Sequence, residues 1–141
     1  MDRLTERYNQ SLKALATLQE VLRMETGPVV RDAAIQRFEL TFESVWKTAR
    51  LFLLTWEGVD VASPKGVIRA CHSAGLLTEG DARRAMDMAD DRNLASHTYD
   101  EALSNQIFGR LPGHARLLEA WLQPLGSKTG LVNSDEVISD E

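Results

Sequence analysis

Arg92, His97 and Tyr99 fall within one short segment, Asp90-Asp91-Arg92-Asn93-Leu94-Ala95-Ser96-His97-Thr98-Tyr99. These are side chains that phosphate chemistry uses. Arginine presents a permanently charged donor fork that matches phosphate oxygens. Histidine transfers protons near neutral pH. The tyrosine hydroxyl can be hydrogen-bonded or covalently modified. On a regular helix each residue turns about 100°, so Arg92 and Tyr99 share a face, as do Asn93 and His97, whereas Arg92 and His97 diverge by about 140°. Arg92 and His97 meet on one phosphate only if a helix ends between them, or if a second copy of the chain completes the site. The segment Thr98-Tyr99-Asp100-Glu101 reads as a capping box with Thr98 as N-cap and Glu101 at N3. It places Arg92 in the last turn of one helix and His97 at the joint before the next. Taken alone the pattern is weak, because Arg and His at a helix C-terminus are favoured by the helix dipole in any case.

The elements that must hold this segment are helices. Leu4, Tyr8, Leu12, Leu15, Leu18 and Leu22 recur at helical steps, with Asp2 as a candidate N-cap. Gly27-Pro28 ends that helix and opens the next. Ile35, Phe38, Phe42, Val45, Ala49, Phe52 and Trp56 step by three and four as a heptad-like seam, which Trp46, Leu53 and Leu54 widen. This aromatic stripe is core, and Gly58 is its expected C-terminal stop. Ser63-Pro64 caps a third, short helix through Val67, Ile68, Cys71 and His72, ended by Gly75. Thr78 starts a fourth, with Ala82, Ala85, Met86 and Ala89 inward. Asp87, Asp90 and Asp91 lie near its C-terminal half, where acids oppose the dipole; they read as solvated surface, with a role in orienting Arg92 or His97 as the other reading. The fifth helix carries Leu103, Ile107, Leu111, Leu117, Leu118, Trp121 and Leu122. Pro112 predicts a kink or break near Leu111, and His114 is expected to be exposed. No strand pattern or internal repeat competes. The expected fold is all-α, an up-and-down bundle of about five helices over residues 1–125, followed by a flexible acidic tail over 126–141.

Composition bounds the function. The chain has 141 residues, 43% of them hydrophobic and 26% charged, which suits one soluble domain. The net charge is −5, of which the tail carries −3 and residues 1–125 carry −2. That excludes a broad basic surface for nucleic acid and leaves room for a local one. The N-terminus is too polar for a secretory signal, no apolar run is long enough to span a membrane, and Cys71 is the single cysteine. A cytoplasmic protein without membrane association is expected. Cys71 and His72 are too few for a metal site, and neither a metal nor a cofactor is implied.

Four stretches together resemble the HEPN superfamily, and within it the nucleotidyltransferase substrate-binding proteins and HepT-like toxins of HEPN–MNT pairs. They are Ala34-Ile35-Gln36-Arg37-Phe38-Glu39-Leu40-Thr41-Phe42-Glu43 with Trp46-Lys47; Ser63-Pro64-Lys65 with Ile68-Arg69 and Ala74-Gly75-Leu76; Asp91-Arg92-Asn93 with Ser96-His97-Thr98-Tyr99; and the apolar last helix. They span roughly residues 1–123 in family order. The resemblance implies a four-helix-bundle core and a homodimer whose two Arg-x4-His-x-Tyr motifs face one cleft. It implies a metal-independent endoribonuclease acting as a toxin, with Arg92 and His97 catalytic and Asn93 and Ser96 in support. It also implies a cognate minimal nucleotidyltransferase as antitoxin, which in part of the family adenylylates the motif tyrosine, here Tyr99. Two other readings stay open: a non-catalytic subunit that presents substrate or nucleotide to the transferase, and a plain helical dimer or adaptor.

Overall fold

The computed structural model describes residues 2–96 and 100–130. Five helices follow in order: α1 (Arg3–Leu22), α2 (Pro28–Phe52), α3 (Pro64–Ser73), α4 (Glu79–Ala95) and α5 (Glu101–Thr129). α2 continues into a π-helical turn, Leu53–Glu57, closed by Gly58 at φ 68°. No strand occurs among the described residues. The helices start where local chemistry allows. Asp2, Ser63 and Thr78 each accept a hydrogen bond from a backbone N–H in the first turn of their helix. Pro28 and Pro64 occupy first helical positions, where a missing N–H costs nothing.

The core lies between α1, α2 and α5, with α3 and α4 closing one side. Phe38, Phe42, Phe52, Leu18, Ile107, Leu118 and Trp121 are fully buried there. α1 and α2 run antiparallel. Their contact includes a buried hydroxyl cluster in which Ser11 Oγ bonds Ser44 Oγ at 2.8 Å and Thr48 Oγ1 at 2.9 Å. α5 runs parallel to α2, as Arg31 near the start of α2 reaches Asn105 and Phe38 stacks on His114.

Five expectations change. The α2 seam stops at Leu53: Leu54 is exposed and Trp56 is 55% exposed, because the π turn carries them past the end of their neighbours. In α1, Leu12 is exposed and Val21 is buried. In α4 the inward methionine is Met88, with Met86 half-buried. α5 does not break at Pro112. It runs unbroken through Pro112 and Pro124 to Thr129, beyond the expected boundary at 125, and Gly130 caps it at φ 77°. Pro112 lies on the exposed face, and Gly109, three residues earlier, has open space around it, so the ring meets solvent rather than a packed neighbour. The N-cap of α5 is Asp100 rather than Thr98. Its Oδ1 accepts from the N–H groups of Ala102 at 2.9 Å and Leu103 at 3.2 Å.

Candidate functional site

Arg92 lies in the last turn of α4, as its spacing predicted. Its Nη2 donates to Glu43 Oε1 in the middle of α2, and its Nη1 to Asn93 Oδ1 at 3.4 Å. Glu43 also receives Lys47 Nζ at 3.3 Å, one turn further along α2. Ser96, the C-cap of α4, donates from Oγ to Glu39 Oε2 at 2.7 Å. Glu39 and Glu43 are four residues apart and share one face of α2. The end of α4 is thus held against α2 by two carboxylates, one gripping Arg92 and one gripping Ser96. Arg92 keeps 29% of its side-chain surface in solvent, and a guanidinium has five N–H donors, so donors remain for an anion. Asn93 is exposed and its carboxamide oxygen is turned toward Arg92. Its expected role beside His97 falls outside the described residues, as do His97, Thr98 and Tyr99 themselves.

A cleft of about 290 Å³ opens beside this joint. Ala95 from the end of α4 and Glu101 and Ser104 from the start of α5 form one side, and Arg31, Ile35 and Glu39 of α2 the other. Arg31 is neutralised here by Asp32 at 3.0 Å and Glu101 at 3.3 Å.

The acids flanking Arg92 do not stand in solvent. Asp90 pairs with Lys65 of α3 at 2.6 Å. Asp91 is 6% exposed and faces α5, opposite to the surface reading. Its two oxygens take a bidentate fork from Arg110, Nε and Nη2 each at 2.8 Å, and Oδ2 also meets His114 Nε2 at 2.7 Å. His114 is therefore buried, at 8% exposure, against expectation, and stacks on Phe38 with ring centroids 5.3 Å apart. Burial alone would raise the Asp91 pKa; the hydrogen bonds and charges of Arg110 and His114 outweigh it and hold the carboxyl below its ordinary value. This trio was missed in the sequence. The available signals were an acid in a helix's last turn, where it needs a partner, and Arg110 and His114 four residues apart on one face of α5.

Among the described residues no group of three or more His, Cys, Asp or Glu could hold a metal ion. No described helix is long and apolar enough to cross a membrane. Cys71 is buried, and desolvation pushes its thiol up to about 11, partly opposed by the Trp121 indole. It carries no nucleophilic role.

Comparison with known proteins matches residues 6–127 to the family model described as nucleotidyltransferase substrate binding protein like. A protein of Thermus thermophilus, known from its crystal structure, is 53% identical with a TM-score of 0.78, over 82% of this chain and 98% of that one. A tri-AMPylated HEPN toxin of Shewanella oneidensis, solved in complex with MNT antitoxin, superposes with a TM-score of 0.73 at 14% identity, over 90% of this chain and 99% of that one. No curated protein matches. The second likeness establishes the all-α HEPN fold.

Proposed function

We propose, from the premise that the chain belongs to the nucleotidyltransferase substrate binding protein like family, that it is the toxin of a HEPN–MNT pair and a metal-independent endoribonuclease. One observation carries the reading: Arg92, in the last turn of α4, is held by Glu43 of α2 with donors left for a phosphate. The fold shared with the Shewanella oneidensis HEPN toxin supports it.

The chemistry follows from the residue types. His97 takes the proton of a ribose 2′-hydroxyl, whose oxygen attacks the adjacent phosphorus. The bond from phosphorus to the 5′ oxygen breaks, leaving a 2′,3′-cyclic phosphate and a 5′-hydroxyl. The proton for that leaving oxygen comes from a second motif histidine, which a two-fold homodimer supplies. Arg92 stabilises the charge on the pentacoordinate phosphorus. Asn93 and Ser96 support the motif, Ser96 through Glu39. Glu43 positions Arg92, so Glu43→Ala should lower cleavage roughly ten- to a hundred-fold through misplacement, with Glu43→Gln recovering part of it.

The partner is a minimal nucleotidyltransferase antitoxin. It transfers AMP from ATP to the Tyr99 oxygen and releases pyrophosphate. The adduct adds a bulky anion to the motif and opposes RNA entry. Intact mass after incubation with the transferase and ATP reads this directly; a gain of AMP that survives Tyr99→Phe removes Tyr99 from the scheme.

The deciding experiment is cleavage of a mixed RNA pool in EDTA by wild type and by His97→Ala. Cleavage by the wild type alone supports the ribonuclease. Equal cleavage by both identifies a contaminating nuclease. A folded wild type that cleaves nothing favours the second reading, a subunit that presents substrate to the transferase, which the family's own description suggests.

A further inference from the structure

The bundle end where α1 begins and α2 stops carries a cleft of about 380 Å³, lined by Arg3, Arg7, Lys47, Arg50, Leu51 and Leu54. Four cations line it and no acid does. Arg3, Arg7 and Arg50 make no ion pair or side-chain hydrogen bond among the described residues, and Lys47 is tied only to Glu43. The grouping occurs in a chain of net charge −5, so it is not the by-product of a basic composition. Cations gathered without counter-charges repel one another, and a bound polyanion relieves that repulsion.

The cleft and the anchor of Arg92 lie along one face of α2. Glu43, which grips Arg92, and Lys47, which lines the cleft, are joined by an ion pair one helical turn apart. Arg50 follows on the same side, about 10 Å along the axis from Glu43 at the α-helical rise. Leu51 and the exposed Leu54 provide an apolar floor of the kind that ribose and base edges pack against.

We propose that this α1–α2 cleft binds the phosphodiester backbone of a single RNA strand, next to the phosphate held at Arg92. The inference rests on the ribonuclease reading and adds a binding site which that reading does not require. An acidic protein segment is the competing occupant.

The test measures fluorescence anisotropy of a labelled oligouridylate of about 12 nucleotides, within the site sizes of single-strand binders. The oligomer is 2′-O-methylated, which removes the attacking hydroxyl and prevents cleavage. Full-length wild type is compared with Arg3→Gln/Arg7→Gln/Arg50→Gln and with the corresponding triple Lys variant. Each phosphate contact contributes about 0.7 to the salt slope on single strands, so the Gln variant should lose about 2 from the slope and the wild type should weaken about 20-fold more than it between about 50 and 200 mM salt. The Lys variant should keep the slope, which separates loss of charge from loss of fold.

Three results overturn the proposal: no binding by wild type, equal slopes for wild type and the Gln variant, or displacement of the RNA by an equal concentration of a peptide of residues 131–141. Cleavage of unmodified RNA is measured in parallel. Cleavage with equal slopes removes the cleft and keeps the ribonuclease. Charge-dependent binding without cleavage supports the cleft and removes the ribonuclease.

Discussion

Replacing Asp91 by alanine tests the most consequential contact in the molecule that does not touch Arg92. The substitution removes two bonds to Arg110 and one to His114. The two partners respond differently. Arg110 keeps 47% of its side-chain surface in solvent and rehydrates, so its share is about 1 kcal/mol or less. His114 has 11% side-chain exposure and is left without its partner, at about 1–3 kcal/mol. The total is about 1–4 kcal/mol, a substantial part of a typical 5–15 kcal/mol stability. For a chain of this length it lowers Tm by about 10 °C. Urea unfolding of Asp91→Ala, Arg110→Ala and His114→Ala gives the assay. Asp91→Ala should cost this total, and Arg110→Ala about 1–3 kcal/mol, because it leaves the buried Asp91 carboxylate with the His114 contact alone. The Asp91→Ala/His114→Ala double variant should fall well short of the sum, because both remove one interaction. The reasoning is refuted if Asp91→Ala lies within about 0.5 kcal/mol of wild type, since desolvation of the carboxylate would then cancel its bonds. The pH dependence has a definite sign. The folded-state pKa of Asp91 is depressed, so its contribution is complete above the ordinary value of 3.8 and is lost as pH falls through the folded value. The stability gap between wild type and Asp91→Asn should hold steady at neutral pH and close below that value.

Other regions carry their own expectations. Pro112 on the exposed face of an unbroken α5 removes a helical hydrogen bond, so Pro112→Ala should stabilise by about 1–3 kcal/mol in urea unfolding; no gain would mean that the helix has relaxed around the ring. Ser11→Ala should destabilise by about 1 kcal/mol, because it removes the hydroxyl bonds to Ser44 and Thr48 at the α1–α2 contact while Thr48 keeps the Arg7 and Ser44 carbonyls, and Ser44→Ala, at a half-buried position, should cost less. Cys71 should resist a thiol reagent at mildly alkaline pH in the native protein and react on unfolding, since its thiol is buried and pushed up to about 11; rapid native labelling would show that α3 opens.

The helix count, the all-α class and most helix starts were legible because a cap is a local event. Asp2, Ser63 and Thr78 bond to the N–H three residues on, a contact that spacing alone reveals. The α5 start was misplaced because Thr98 and Asp100 are both good caps, two residues apart, and the pattern fits the first while Asp100 satisfies two N–H groups. Pro112 misled because the rule against helical proline is local, whereas its tolerance depends on which face of α5 meets solvent. At the candidate site, Arg92 was legible as the last turn of α4, but not its grip on Glu43, which is 49 residues away. Asp91 with Arg110 and His114 was invisible for the same reason. Three polar residues 19 and 23 positions apart become one buried network only after α4 packs on α5.

Asp91 and Arg92 are neighbours in sequence yet grip different helices, α5 and α2. Consecutive residues on a helix point about 100° apart, so the pair works as a key that fits only one angular setting of α4. Substitutions on the exposed face of α4 leave that setting intact. A change in length does not: deleting one residue between Thr78 and Asp91 turns both groups together by about 100° and misaligns both locks at once. Within this fold α4 is therefore free to vary in surface composition but held to its residue count, and natural or designed variants that preserve the site should differ there by substitution and not by insertion.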